Sequence, residues 1–456
     1  MRKVFLIAGK ELRASVRTLR FVLVLVITLL LFIGATVLGT NRYNLTKNSY
    51  ELTVRQQAES FAAVKSYEPM LGIFLAAYRP PNPGTLIATG INQLIGDTFY
   101  IYNVNNPPAL KSPLIHNSFS RLHGDYDMLT IVAIVISFLA LLLSYDAFPG
   151  EKRDGTAQLL FSEPVGRASI AIGKALGLSL TLFIPIIVSC TASALIAVIA
   201  IPGAGDAILG GMAALLILAL LYAAVFISLG VAISALTHRP FRSLTALLII
   251  WIALVYVVPE AITAASTSAH PTPTDDDFSN RYREVTIKYL EGFRSFPQDL
   301  IERRAAWFEL TKWYQGQLRI VWRDIANNLI RQEDFAWAWG WFTPVIPLKL
   351  AATGFCGTNP GTEVGSMDSV WDAVVRYDEY LMQKIVADSE EARRTGGGMP
   401  RYESGIPWSE IPKVEFRTDS AAQRWGALAT GCIVLLAWLV LFTMISILLA
   451  RRYDPR

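Results

Sequence analysis

Two stretches decide the fold: 171-AIGKALGLSLTLFIPIIVSCTASALIAVIA-200 and 207-AILGGMAALLILALLYAAVFISLGVAISAL-236. Each exceeds the roughly 20 apolar residues that a helix needs to cross a bilayer. Between them lies Pro202-Gly203-Ala204-Gly205-Asp206, a tight turn signal. The two runs therefore predict an antiparallel hairpin of membrane helices. Outward from this hairpin, further apolar runs of spanning length occupy residues 21–39, 128–147, 243–264 and 426–450. The composition agrees: 53% of the 456 residues are hydrophobic and 17% are charged, against about 25% charged in soluble domains. The expected class is an all-α polytopic membrane protein with six transmembrane helices.

Lysine and arginine set the expected orientation. Arg2, Lys3, Lys10, Arg13, Arg17 and Arg20 precede the first run. Lys152, Arg153 and Arg167 connect the second and third, Arg239 and Arg242 the fourth and fifth, and Arg451, Arg452 and Arg456 close the chain. With six spans, all four groups fall on one side. The predicted arrangement is TM1 at 21–39, TM2 at 128–147, TM3 at 171–200, TM4 at 207–236, TM5 at 243–264 and TM6 at 426–450. Both termini are then cytoplasmic, with a tail at 451–456. Two insertions, 40–127 and 265–425, are extracytoplasmic, and a short cytoplasmic loop spans 148–170. Residues 1–20 read as an amphipathic interfacial helix. Phe5, Ala8, Leu12, Val16 and Leu19 form an apolar stripe beside a cationic stripe of Lys10, Arg13, Arg17 and Arg20, a pattern suited to an anionic leaflet. Topology-setting charge and contact with a cytoplasmic partner are compatible readings of the same helix.

Several chemistries find no support. Carboxylates and histidines are absent from the middle of the spans, where ion-coupled carriers place them. GxxxxGK[ST], GxSxG, HExxH and CxxC are all missing. The four histidines, His116, His123, His238 and His270, lack ligand spacing, and the three cysteines make no framework. A membrane enzyme assembled from His116, His123 and Asp125 stays open as a minor alternative, since such sites are defined by geometry. No metal, directly bound cofactor or nucleic-acid partner is expected.

The outer insertions read as mostly helical. In the second, Ala305, Phe308, Leu310, Trp313, Leu318, Val321, Ile325 and Leu329 form an apolar stripe, with Arg303, Arg304, Lys312, Arg319 and Arg323 on a solvated face. Asp275-Asp276-Asp277 reads as a solvated linker and Gly396-Gly397-Gly398 as a joint. The tryptophans gathered here fit an interfacial belt plus a domain core, or a wall guiding an amphipathic substrate.

The connection between the second and third runs carries the most information about function. Gly155 breaks the chain, and Thr156 can N-cap a short helix. Ala157, Leu159, Leu160 and Phe161 would form its apolar face, and Pro164 prevents extension. A short rigid helix, charged at its start, suits a socket on a soluble protein; packing on lipid is the plainer alternative.

Glu151, Gly155, Thr156, Leu160, Ser162, Pro164, Arg167, Gly173 and Lys174 resemble the "E…GT…LL-S-P…R…GK" signature of ABC-2-type exporter permeases. The branch with large outer insertions, resembling the permeases of gliding motility and nitrous oxide reductase maturation, is the most similar. Phe342-Thr343-Pro344 through Gly357-Thr358 resembles the "SP…GT" stretch such permeases carry, with Thr343 in place of serine. The resemblance implies an ABC-2 (type V exporter-like) fold in a bacterial inner membrane. It also implies a coupling helix that receives a separate ABC ATPase, two copies per complex, which binds the ATP and magnesium. A second permease copy or a sister permease and membrane lipid would complete the assembly, and a periplasmic partner would fit the outer domains. On this basis the expected coupling interface comprises Lys10, Glu11, Arg13, Glu151, Arg153, Asp154, Gly155, Thr156, Leu159, Leu160 and Phe161. The expected function is that of a permease subunit that is not itself an enzyme. The alternative is a non-transporting, ATP-driven scaffold that holds an outer partner.

Overall fold

A computed structural model describes the chain except residues 1, 68–74, 92–97, 102–108, 111–126, 154, 156–164, 238, 273–274, 397–399, 403–404, 408 and 454–456. Helices dominate. A short N-terminal helix, α1 (Arg2–Val16), precedes six that are long and apolar enough to cross a membrane: α2 (Leu19–Ala62), α3 (Met128–Arg153), α4 (Arg167–Ala200), α5 (Gly205–Leu236), α6 (Pro240–Ala269) and α11 (Ala421–Arg452). Between α6 and α11 lie α7 (Asp275–Gly292), α8 (Leu300–Trp339), α9 (Val345–Cys356) and α10 (Pro360–Thr395). The first insertion also holds a small antiparallel sheet that the sequence did not suggest. Its strands β1 (Leu75–Tyr78), β2 (Thr98–Ile101) and β3 (Ala109–Leu110) pair in chain order, with Ala76 opposite Tyr100 and Tyr100 opposite Ala109.

Helix α5 is the bundle's centre. Tyr222, Phe226, Val225 and Ile227 are fully buried in a core shared with α2, α3, α4, α9 and α11. Two of the spans contain π-helical turns, Ile131–Ile136 in α3 and Ala253–Val257 in α6. A π turn disturbs the backbone ladder, and inside a bilayer its carbonyls need partners from the protein. Here hydroxyls from elsewhere in the chain reach them. Tyr222 Oη donates to the Ala133 carbonyl at 2.9 Å, and Thr343 Oγ1 donates to the Leu254 carbonyl at 2.5 Å. Thr343 also accepts the Val345 backbone N–H at 3.2 Å, so it opens α9 as a serine would.

Residues 79–91 cap the bundle at the end remote from both termini. Leu86, Ile87 and Ala88 are buried in the membrane core, and Leu129 N–H donates to the Ile87 carbonyl at 3.1 Å. The cap is stitched to the α9–α10 corner. Asn82 Nδ2 donates to the carbonyls of Cys356 at 2.9 Å and Gly357 at 3.0 Å, and Ile91 N–H donates to Thr358 at 3.1 Å. Gly90 has φ +56°, and a Cβ there would stand 2.1 Å from the Thr358 carbonyl oxygen, so both conformation and space demand glycine. Arg79 and Glu363, both buried, form an ion pair across this seam.

A second core lies beyond the cap, where the end of α2 meets α7, α8, α10 and residues 402–414; Phe61, Tyr289, Tyr314, Trp371 and Ile385 are central to it. The buried face of α8 is rotated from the expected stripe. Leu318 and Val321 are inside, but Ala305 is exposed and Trp313 is 40% exposed. Arg304, Thr311 and Gln315 are buried instead. Polar partners explain the rotation: Arg304 donates to Ser389 Oγ, Gln315 Nε2 donates to Asp378, and Tyr289 Oη and Thr311 Oγ1 lie 3.3 Å apart. A hydrophobicity count assigns such residues to solvent, yet paired polar groups are tolerated in a core. Asp275-Asp276-Asp277, expected as a linker, begins α7 instead. Carboxylates suit the positive end of the helix dipole.

Burial pushes the Asp378 carboxyl up to about 7, opposed by the Gln315 hydrogen bond. Between the ordinary carboxylate range and about pH 7, the unfolded chain releases a proton that the folded chain keeps. Stability therefore falls as pH rises through that window. Asp378→Asn removes the titration. Its melting temperature should gain on the wild type from pH 5 to pH 8; a gap that stays constant would contradict the assignment.

Candidate functional site

The four basic groups of the sequence meet at one end of the bundle, and the site is built there around α1. Of this helix's expected stripe, Ala8 is buried and Leu12 and Val16 are half-buried, while Phe5 at 68% and Leu19 at 73% are exposed; Val4, Ile7, Glu11 and Ser15 turn inward beside Ala8. The inward face packs on α4 because α4 has glycines where α1 crosses. A Cβ at Gly173 would lie 2.7 Å from Ile7 Cβ, and one at Gly177 would lie 2.6 Å from Glu11 Cβ and 2.8 Å from the Ala8 carbonyl. The i, i+4 spacing puts both glycines on one face, so the two backbones approach closely, as small residues permit in membrane helices.

Lys174 sits between those glycines and is 3% exposed. Its ammonium donates to Glu11 on α1 and to Glu151 Oε1, at 3.0 Å, near the end of α3. An isolated buried ammonium would be costly; two carboxylates from different helices hold this one. The cluster thereby joins α1, α3 and α4 at the mouth of the 154–166 connection. A second ion pair lies beside it: Arg20 Nη1 meets Asp146 Oδ2 at 2.8 Å, and the guanidinium also covers the Tyr145 ring with its carbon 5.6 Å from the centroid. The far side of the connection is clamped too. Arg167 Nη1 donates to the carbonyls of Arg451 and Tyr453, both at 2.9 Å, and Tyr453 Oη donates to the Phe148 carbonyl at 3.4 Å. Both ends of the loop are thus fixed to the bundle, one through α1 and α4 and the other through the end of α11.

The predicted interface residues divide accordingly. Lys10 and Arg13 are exposed on α1. Glu11 and Glu151, expected to face outward, point inward at Lys174. Arg153 is exposed at the end of α3, and Gly155 takes the left-handed conformation at φ +74°, a break that glycine makes at low cost. Asp154, Thr156, Leu159, Leu160 and Phe161 lie outside the described residues, as do His116, His123, Asp125 and His238. Among the described residues no group of histidines, cysteines and carboxylates could hold a metal ion. Asp146, Tyr145, Arg20 and Tyr453 were not foreseen as parts of the site. The sequence did hold one signal for the cluster: Lys174 is the only lysine or arginine between Arg167 and Arg239, and it lies between two glycines.

Comparison with known proteins agrees with this architecture. The chain is 30% identical over 136 residues to the probable ABC transporter permease protein NosY of Pseudomonas aeruginosa, covering 30% of this chain and 50% of that protein. It is 34% identical over 74 residues to the probable ABC transporter permease protein NosY of Stutzerimonas stutzeri, covering 16% of this chain and 27% of that protein. The chain thus spans half or less of the length of these curated relatives. The family described as ABC-2 family transporter protein matches residues 5–322, from α1 into α8. With its six apolar helices and a match over most of its length, the chain is a multi-pass membrane protein that belongs to the ABC-2 transporter family.

Proposed function

We propose that the chain is the permease subunit of an ATP-binding cassette exporter, moved by a separate ATPase that docks at the basic end. The observation carrying this reading is the Glu11–Lys174–Glu151 cluster, which ties the mouth of the 154–166 connection to both α1 and α4. A force applied to that loop reaches two helices at once. Residues 148–170 act as the coupling loop. Leu159, Leu160 and Phe161 fill a groove on the ATPase, Arg153 and Asp154 make polar contacts beside it, and Lys10 and Arg13 brace its flank from α1. Glu11 and Glu151 act one layer further in, as the internal brace. The basic end is cytoplasmic in this reading, in a bacterial inner membrane, and the cap and second core are extracytoplasmic. Two ATPase copies and a second permease, identical or a sister, complete the complex, and ATP with magnesium enters through the ATPase alone.

The substitution pair Leu160→Asp and Phe161→Asp tests the docking. The variant should still insert in the membrane and should lose co-purification of the ATPase and any stimulation of its ATP hydrolysis. Survival of both would sink the assignment. A second reading, an ATP-driven scaffold for a periplasmic partner, draws on the outer helical unit with its own aromatic core. ATP-dependent movement of a solute in vesicles separates the two.

A further inference from the structure

The turn between α4 and α5 borders a cavity of about 510 Å³ at the end of the bundle remote from the termini. It is lined by Tyr43 and Lys47 of α2, Pro83 of the cap, and Pro202 and Asp206 of the turn. Tyr43 and Lys47 are four residues apart and share a helix face. Neither Lys47 nor Asp206 is engaged in an ion pair among the described residues. The cavity thus offers one cation, one anion and a phenol, and its size suits a small-molecule group.

Depth says which group. The apolar run of α2 ends near residue 39, so Tyr43 and Lys47 lie about 6 and 12 Å further along the axis at 1.5 Å per residue. That is headgroup depth, just outside a hydrocarbon layer about 30 Å thick, and a lysine stem can reach back toward the boundary. Below it, Leu38 on α2 and Leu195 and Ile199 on α4 are strongly exposed, Ile199 at 79%. A molecule held here has charge complementarity above and open apolar surface below.

We propose that this cavity is a headgroup site for a zwitterionic aminophospholipid of the phosphatidylethanolamine class. Lys47 takes the phosphate, with the Tyr43 hydroxyl as a second donor. Asp206 takes the primary ammonium, and the acyl chains run along Leu38, Leu195 and Ile199. The pair of opposite charges sets the selectivity. A phosphatidylglycerol headgroup offers Asp206 no cation, and a choline headgroup has no N–H to donate.

Native mass spectrometry of the full chain, released from nanodiscs containing equal phosphatidylethanolamine, phosphatidylcholine and phosphatidylglycerol, tests this. The wild type should retain phosphatidylethanolamine about tenfold over the others, in line with one charge-assisted hydrogen bond. Lys47→Gln should lose that excess, and Asp206→Asn should lose the preference over phosphatidylglycerol. Lys47→Arg keeps the cation and should keep the lipid, which separates lost recognition from lost folding. Wild-type lipid retention in both Lys47→Gln and Asp206→Asn overturns the site. Displacement of the lipid by equimolar soluble O-phosphoethanolamine overturns the lipid assignment in favour of a water-soluble phosphoamine.

Discussion

Replacing Lys174 with methionine is expected to loosen α1 from the bundle and uncouple the loop it braces. The stem packs much as before, but Glu11 and Glu151, each 17% exposed, lose their shared cation and face one another across the α1–α3–α4 junction. Removing one member of a buried ionic group costs about 3–5 kcal/mol when the others stay charged. The residual exposure of the carboxylates puts this case at the lower end. Thermal unfolding in detergent should show a clear drop in melting temperature, and ATPase stimulation by the purified permease should fall more than tenfold. Adding Glu11→Leu to Lys174→Met should recover part of the lost stability, because the pair acts as a unit. If the double variant is as unstable as the sum of the singles, the two residues do not interact as described.

The other large effect is expected at the seam between the cap and α10. Arg79→Met strips the fully buried Glu363 carboxylate of its guanidinium. A broken buried pair of this kind costs about 3–5 kcal/mol. The loss should be local at first, since the cap is held by short hydrogen-bonded contacts to the α9–α10 corner. Limited proteolysis should cut the first insertion faster than in the wild type, at temperatures where the bundle is still folded. Arg79→Met combined with Glu363→Met replaces the pair with apolar groups and should restore most of the resistance. Equal protease sensitivity in the single variant and the wild type would show that the pair does not hold the seam.

The sequence made some layers of this molecule plain and hid others. Spans are local, so apolar length alone located all six, and the basic clusters grouped the ends that the structure brings together. Gly173 and Gly177 stand four apart in the sequence, but nothing local names their partner. The helix they admit lies some 160 residues earlier, and no local period connects Ile7 with Gly173. The resemblance places Glu11 with Lys10 and Arg13 in the ATPase interface; its partner in the structure, Lys174, is set by tertiary packing. The α8 stripe held at Leu318 and Val321 and missed the buried polar positions for a related reason. Arg304 and Gln315 are polar in any sequence-based count, and partners on α10, Ser389 and Asp378 among them, make their burial tolerable. The cap centres on a Pro/Gly-rich stretch, Pro80-Pro81-Asn82-Pro83-Gly84. Its insertion into the membrane core rests on single contacts, such as Ile87 against Gly211, that composition does not encode.

Helix α2 runs unbroken for 44 residues, from the Arg20–Asp146 pair to Ala62, whose carbonyl lies against Gly405 in the second core. At 1.5 Å per residue it is a rod of about 66 Å. Such a rod turns angle into distance: pivoted near the basic end, a tilt of about 5° carries its far tip about 6 Å, one helical pitch. The second core rides on that tip. A small rocking of one membrane helix is then sufficient to make a stroke outside the bilayer as long as a one-turn shift in register, with the helix itself as the lever arm.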